Sequence, residues 1–103
     1  MITAFVQFPI REPVTREKAR ELFSASAPRY REVPGLIRKY YLLSEDGASV
    51  GGVYLWNSRS DAERMYSGEW RAFIKERYGA QPSVTYFESP VIVDNASGVI
   101  EEG

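Results

Sequence analysis

Residues 36–57 read LIRKYYLLSEDGASVGGVYLWN. Two runs rich in aliphatic, β-branched and aromatic residues flank Asp46-Gly47, a dipeptide that readily takes the backbone of a tight hairpin turn. The runs are therefore expected to pair as antiparallel strands. With Asp46 and Gly47 as the loop residues, Lys39 lies opposite Tyr54, Tyr41 opposite Gly52 and Ile37 opposite Trp56. These side chains share one face, aromatic with a single ammonium and a hollow at Gly52. The other face carries Leu36, Tyr40 and Leu42 with Gly51, Val53 and Leu55, and is expected to pack on helices, although Arg38 falls on it as well. Neither face shows the apolar–polar alternation of a solvated sheet. Both are expected to be covered, one by helices and the other most simply by a second subunit.

On the N-terminal side, Ile2–Phe8 is a β-branched and aromatic run closed by Pro9, the pattern of a strand. Thr15 can cap a helix with Glu17 in its first turn. Ala19, Leu22, Phe23, Ser26, Tyr30 and Val33 then recur at helical spacing as one stripe. Pro28 removes a backbone donor, so a kink or restart is expected near Ala27. Pro34-Gly35 ends the element. On the C-terminal side, Ser60-Asp61-Ala62-Glu63 has the spacing of a capping box. Gly68 is expected to break the helix that follows. Trp70, Phe73, Ile74 and Tyr78 make a second stretch closed by Gly79. Residues 83–94, SVTYFESPVIVD, read as the last strand, with Pro90 marking a bulge or edge position.

The resulting order, β-α-β-β-α-β, is the split βαβ pattern of ferredoxin-like α+β folds. It spans residues 1–94 as one domain, and the polar residues 95–103 read as a tail. A chain of 103 residues leaves no room for a second domain.

The composition excludes more chemistry than it suggests. There is no cysteine and no histidine. Thiolate nucleophiles, disulfides and Ser-His-Asp triads are thereby removed, and Ser24, Ser26 and Ser58 have no imidazole to activate them. Catalytic zinc and non-haem iron are disfavoured, because carboxylates alone would have to hold the metal. The net charge is −1 with no basic run, which gives no nucleic-acid footprint. No apolar stretch reaches the length of a membrane span, and MITAFVQFPI lacks the basic start of a signal peptide, so a cytoplasmic location is expected.

Gly51-Gly52 lies within a strand and lacks the spacing of a phosphate loop; it marks close approach of a neighbour. Glu88 could pair with Lys39 or Arg38, but an acid there is more often a solvated edge residue. Glu45 with Asp46, and Glu101 with Glu102, fall in turn and tail and define no carboxylate pair for glycoside chemistry. The Lys39 face admits two readings. It is either a small-molecule pocket with apolar walls and few polar groups, or dimer core from which Lys39 snorkels to solvent.

Pro34-Gly35-Leu36, Lys39-Tyr40-Tyr41, the strand Gly51-Gly52-Val53-Tyr54-Leu55-Trp56 and the helix opening Ser60-Asp61-Ala62-Glu63 together resemble the YdhR-like mono-oxygenase family. That family belongs to the dimeric α/β-barrel superfamily, alongside the antibiotic-biosynthesis mono-oxygenases. The resemblance covers nearly the whole chain in element order. It implies a homodimer with a pocket inside each sheet, no cofactor, and oxygenation of an electron-rich phenol or anthrone-like compound without metal or flavin. In that setting Lys39 would stabilise an anionic substrate or oxyanion, Tyr41 and Tyr54 would donate hydrogen bonds, and Trp56 would stack on a planar ligand beside Ile37. The Asn/Trp/Arg set of related oxygenating barrels has no evident counterpart here. Two alternatives stand beside this: a non-catalytic small-molecule-binding or stress-response protein of the same fold, using the same pocket, and isomerase or lactone chemistry, which relatives in the superfamily also perform.

Overall fold

The computed structural model describes all 103 residues. The strands are β1 (Ile2–Pro9), β2 (Leu36–Leu43), β3 (Ser49–Trp56), β4 (Ser83–Glu88), β5 (Val91–Asp94) and β6 (Val99–Glu102). The helices are α1 (Arg16–Ser26), α2 (Arg59–Met65) and α3 (Gly68–Tyr78), with a 3-10 turn over Ala27–Tyr30. The fold is α+β: β1 to β4 form one antiparallel sheet in the order β2-β3-β1-β4, the ferredoxin-like arrangement expected from the sequence. No helix is long and apolar enough to cross a membrane.

Local signals account for most of the boundaries. Thr15 caps α1, its hydroxyl accepting the Lys18 N–H at 3.1 Å. Pro28 falls in the first turn of the 3-10 segment, so the helix changes pitch at Ala27, where the missing donor predicts a restart. Gly79 closes α3 at φ 79°, a left-handed conformation that suits glycine. The cap of α2 lies two residues earlier than expected. Ser58, not Ser60, accepts the Asp61 N–H, at 3.2 Å, and donates its own proton to Asp61 Oδ2 at 2.9 Å. Gly68 does not simply break the helix but opens α3.

In the hairpin, Lys39 pairs with Tyr54 and Tyr41 with Gly52, as expected. The loop is wider than two residues: Ser44 N–H donates to the Ser49 carbonyl, and Asp46 Oδ1 accepts the Ala48 N–H at 2.9 Å. The widening is symmetric, so the register survives. Ile37 departs from expectation. A bulge between Leu36 and Arg38 puts Leu36, not Ile37, opposite Trp56, and leaves Ile37 exposed.

The faces are reversed relative to expectation. Ala4, Val6 and Phe8 of β1 and Val50, Tyr54 and Trp56 of β3 form the core against Tyr30, Ala62, Tyr66, Trp70 and Ile74. The helices therefore cover the face that carries Lys39, Tyr41, Tyr54 and Trp56. Leu42, Gly51, Val53 and Leu55 lie on the uncovered face with exposed Phe5, Tyr40 and Phe87. The physical reason is that the helices bring aromatic residues of their own, and rings pack on rings (Tyr54 on Tyr66, Tyr66 on Trp70). Arg38 consequently points away from the core and pairs with Asp94 at 3.4 Å.

The strand expected over 83–94 divides at Ser89-Pro90. Residues 95–103, expected as a tail, form a turn and β6, which pairs back on β5. This hairpin exposes Val91, Val93, Val99 and Ile100. Glu88 is an exposed residue at the end of an edge strand, and it makes no ion pair.

Candidate functional site

Lys39 lies on β2, an edge strand, and its side chain turns inward under the helices. Gly52, its diagonal neighbour on β3, makes this possible. A Cβ at Gly52 would stand 3.2 Å from Lys39 Cε and 3.1 Å from a Tyr54 ring carbon. The hollow expected at Gly52 is thus occupied by the lysine stem. The ammonium nitrogen meets three rings: Nζ lies 3.4 Å from the centroid of Tyr30, 3.7 Å from that of Tyr41 and 4.7 Å from that of Tyr54.

Two forces oppose each other at Nζ. The ring faces favour the cation. Loss of water disfavours it, and none of the four ion pairs in the chain includes Lys39. Burial brings the Lys39 pKa down to about 7. It acts on the phenols in the opposite direction. Tyr41 is pushed up to about 12 by burial, against the opposing effect of its 2.8 Å hydrogen bond with Ser26 Oγ. Tyr30, Tyr54 and Tyr66 are also raised, chiefly by burial. At neutral pH the site therefore combines a readily titrated amine with phenols that keep their protons.

The cage is held from behind. The Trp70 indole donates to Tyr30 OH at 3.0 Å, and the Trp56 indole donates to Tyr66 OH at 3.1 Å. Tyr66 lies edge-on to both Tyr54 and Trp56. Trp56 is fully buried and parallel to Tyr54, with ring centroids 6.2 Å apart. It reaches the site only through Tyr54.

A groove of about 530 Å³ opens beside Lys39, within the size range of small-molecule sites. Ser24, Ala27, Tyr30, Arg31, Ile37 and Tyr41 contribute to its walls, and no carboxylate does. Inward of Lys39 a void of about 20 Å³ reaches Trp70, Phe73 and Tyr78, with room for about one water. A second groove, about 690 Å³, runs on the other side of Tyr41 between α1 and the hairpin loop; its rim mixes Arg16 and Arg20 with Glu45 and Asp46, and Lys39 does not reach it. No group of three or more acidic side chains is placed to hold a metal ion.

The structure thus brings Lys39, Tyr41 and Tyr54 together, places Ile37 on the wall of the Lys39 groove and sets Trp56 behind Tyr54. Sequence reasoning missed Tyr30 and Ser26. Both stand in the apolar stripe of the first helix, and the visible signal was that two of six stripe positions carry hydroxyls.

A ferredoxin-like sheet with helices on one face is the fold that the chain shares with solved antibiotic-biosynthesis mono-oxygenases. Residues 4–88 match the family described as "Putative mono-oxygenase ydhR", and the chain belongs to that family. Among solved structures it is similar to a mono-oxygenase from the gene ActVA-Orf6 of Streptomyces coelicolor, solved with the ligand nanaomycin D. The two are 26% identical over 85% of this chain and 86% of that one, with a TM-score of 0.65. It shares its fold with Rv0793 from Mycobacterium tuberculosis, at 22% identity over 85% of this chain and 93% of that one, with a TM-score of 0.62. It also shares its fold with SnoaB, a cofactor-independent oxygenase from Streptomyces nogalater, at 15% identity over 85% and 91% of the two chains, with a TM-score of 0.62. No curated protein matches the chain.

Proposed function

We propose that the protein is a mono-oxygenase that needs neither metal nor flavin and acts on a planar, electron-rich phenol held in the groove beside Lys39. The carrying observation is an amine with a pKa of about 7, caged by three tyrosine rings and without a carboxylate partner, on the wall of a groove large enough for such a compound. Membership of a mono-oxygenase family and the shared fold with a cofactor-independent oxygenase support this reading.

The neutral Lys39 amine takes the proton of the substrate hydroxyl. The resulting ammonium then stabilises the phenolate, and Tyr41 donates a hydrogen bond to it. Negative charge delocalised onto the ring or benzylic carbon reduces dioxygen. In sum a CH2 group and O2 give C=O and water, so no external reductant is required. Tyr54 and Trp56 give the cage a rigid rear wall, and Ile37 supplies an apolar contact. The unit is a homodimer in which the uncovered sheet faces, with Phe5, Tyr40 and Phe87, pack on one another.

Oxygen uptake with an anthrone-type phenol tests the reading. Uptake should fall by about a hundredfold or more in Lys39→Ala, the usual scale for a lost general base. Uptake equal to that of the variant excludes Lys39 as the base, uptake no higher than without protein excludes oxygenation, and ligand-induced thermal stabilisation without uptake would instead make this a binding protein.

A further inference from the structure

The amine of Lys39 is arranged for chemistry that needs no oxygen at all. Nucleophilic lysines require a desolvated nitrogen, no salt-bridge partner, and access from a cavity that can seat the electrophile. All three conditions meet here. Nζ is held by the rings of Tyr30 on the 3-10 turn, Tyr41 on its own strand and Tyr54 on β3. From α3, Trp70, Phe73, Ile74 and the phenol of Tyr78 share the void inward of it. The only other charged groups on the groove are Arg31 and Arg38, the latter paired with Asp94. Two guanidiniums cannot accept a proton from the amine.

We infer that Lys39 is an imine-forming residue, whose Nζ condenses reversibly with an aromatic aldehyde or ketone seated in the groove between β2 and the 3-10 turn. The nitrogen lone pair attacks the carbonyl carbon, and a C–N bond forms as the C=O π pair moves to oxygen. That oxygen takes a proton from the nitrogen to give a carbinolamine. Loss of the hydroxyl as water, with the second N–H proton, leaves the C=N bond, and hydrolysis reverses the sequence. No oxidant or reductant is consumed. The carbonyl compound would enter past Ile37 and Ala27, with its ring against the tyrosines. The lowered pKa agrees with this assignment, since an ordinary lysine amine is almost wholly protonated at neutral pH.

The sequence makes the test clean, because the chain has three lysines: Lys18, Lys39 and Lys75. Lys18 and Lys75 are exposed on helices and serve as internal references. The intact protein is incubated with 2-naphthaldehyde and cyanoborohydride at about pH 7.5, where a desolvated amine should outpace an ordinary one by about tenfold or more. Peptide mapping by mass spectrometry follows each lysine and separates all three from the Met1 amine. Lys39 should be labelled about tenfold faster than Lys18 and Lys75. An excess of 2-naphthol, which has the same ring and no carbonyl, should slow labelling at Lys39 and leave the reference lysines unchanged. Labelling of Lys39 no faster than the references overturns the proposal, as does Lys39 labelling that 2-naphthol does not slow. None of these readouts depends on oxygen uptake, so imine formation and oxygenation can fail independently.

Discussion

Lys39 joins the stability of the fold to its chemistry. The unfolded lysine has a pKa near about 10.4, whereas the folded one titrates at about 7. Between these values the unfolded chain binds more protons than the native one, so stability must rise with pH across this window. From about pH 7 to about pH 9.5 the gain is at most about 3 kcal/mol, lessened by the attraction of three ring faces for the cation. Other shifted groups lie outside the window. Asp46 and Asp94 are lowered by their hydrogen bonds and act in acid, and the raised tyrosines reduce stability only as pH passes about 10. Urea denaturation at about pH 7 and pH 9.5 should therefore show wild type gaining stability, and Lys39→Met should abolish the gain. A wild-type curve that is flat over this range would mean that Lys39 is solvated. Gly52 provides a second test at this scale. Gly52→Ala pushes a methyl against Lys39 Cε and the Tyr54 ring, and the overpacking should cost about 1–3 kcal/mol by the same measurement.

At the level of elements, the corrected cap of α2 gives a sharp comparison. Ser58→Ala removes the hydroxyl that accepts the Asp61 N–H and should lower stability by about 1 kcal/mol. Ser60→Ala, at the position the sequence pattern favours, touches only the Ser58 hydroxyl and should stay within about 0.5 kcal/mol. Equal losses in thermal denaturation would count against the assignment. The motif was visible but its frame was not, because Ser58 and Ser60 each have an acid three residues on, Asp61 and Glu63. Much the same holds across the fold. The register of Lys39 and Tyr54 was legible because strand pairing follows from where the turn is centred, and widening the loop equally on both sides does not move it. The bulge at Ile37 was not legible, since one unpaired residue leaves no compositional mark. Nor was the choice of face, because both faces of β2 and β3 carry aromatic side chains. What decides it is the aromatic content of the 3-10 turn, of the residue that ends α2 and of α3, through Tyr30, Tyr66, Trp70 and Phe73. That Lys39, Tyr41 and Tyr54 lie together was legible because they share one face of the β2–β3 hairpin. Tyr30 comes from the preceding 3-10 turn rather than from the sheet, and only the packing of that turn brings it over Nζ.

For the whole molecule the unresolved quantity is surface. The sheet leaves Phe5, Tyr40 and Phe87 exposed on one face, and the β5–β6 hairpin adds Val91, Val93, Val99 and Ile100. Within one copy the hairpin's ion pair to the sheet is Arg38 with Asp94, a partly exposed contact of the kind that contributes little. A chain of 103 residues buries too small a share of its apolar surface to leave so much of the remainder in water at no cost. A second copy offers the same uncovered face, and a two-fold axis would bring the two together with each patch matched to itself. The helices and the Lys39 groove lie on the opposite side of the sheet, so dimerisation would leave the groove open. Wild type should sediment at micromolar concentration as a species of twice the chain mass. Phe5→Lys, at the centre of the uncovered face, should sediment as a monomer, because pairing would bury an unpartnered ammonium from each copy. Tyr40→Lys, near the edge of that face, should weaken the dimer less. If the Phe5→Lys monomer still labels at Lys39, then the groove is complete within one chain and the second copy serves stability alone. A wild-type monomer at these concentrations would remove the dimer and leave the exposed face to another partner.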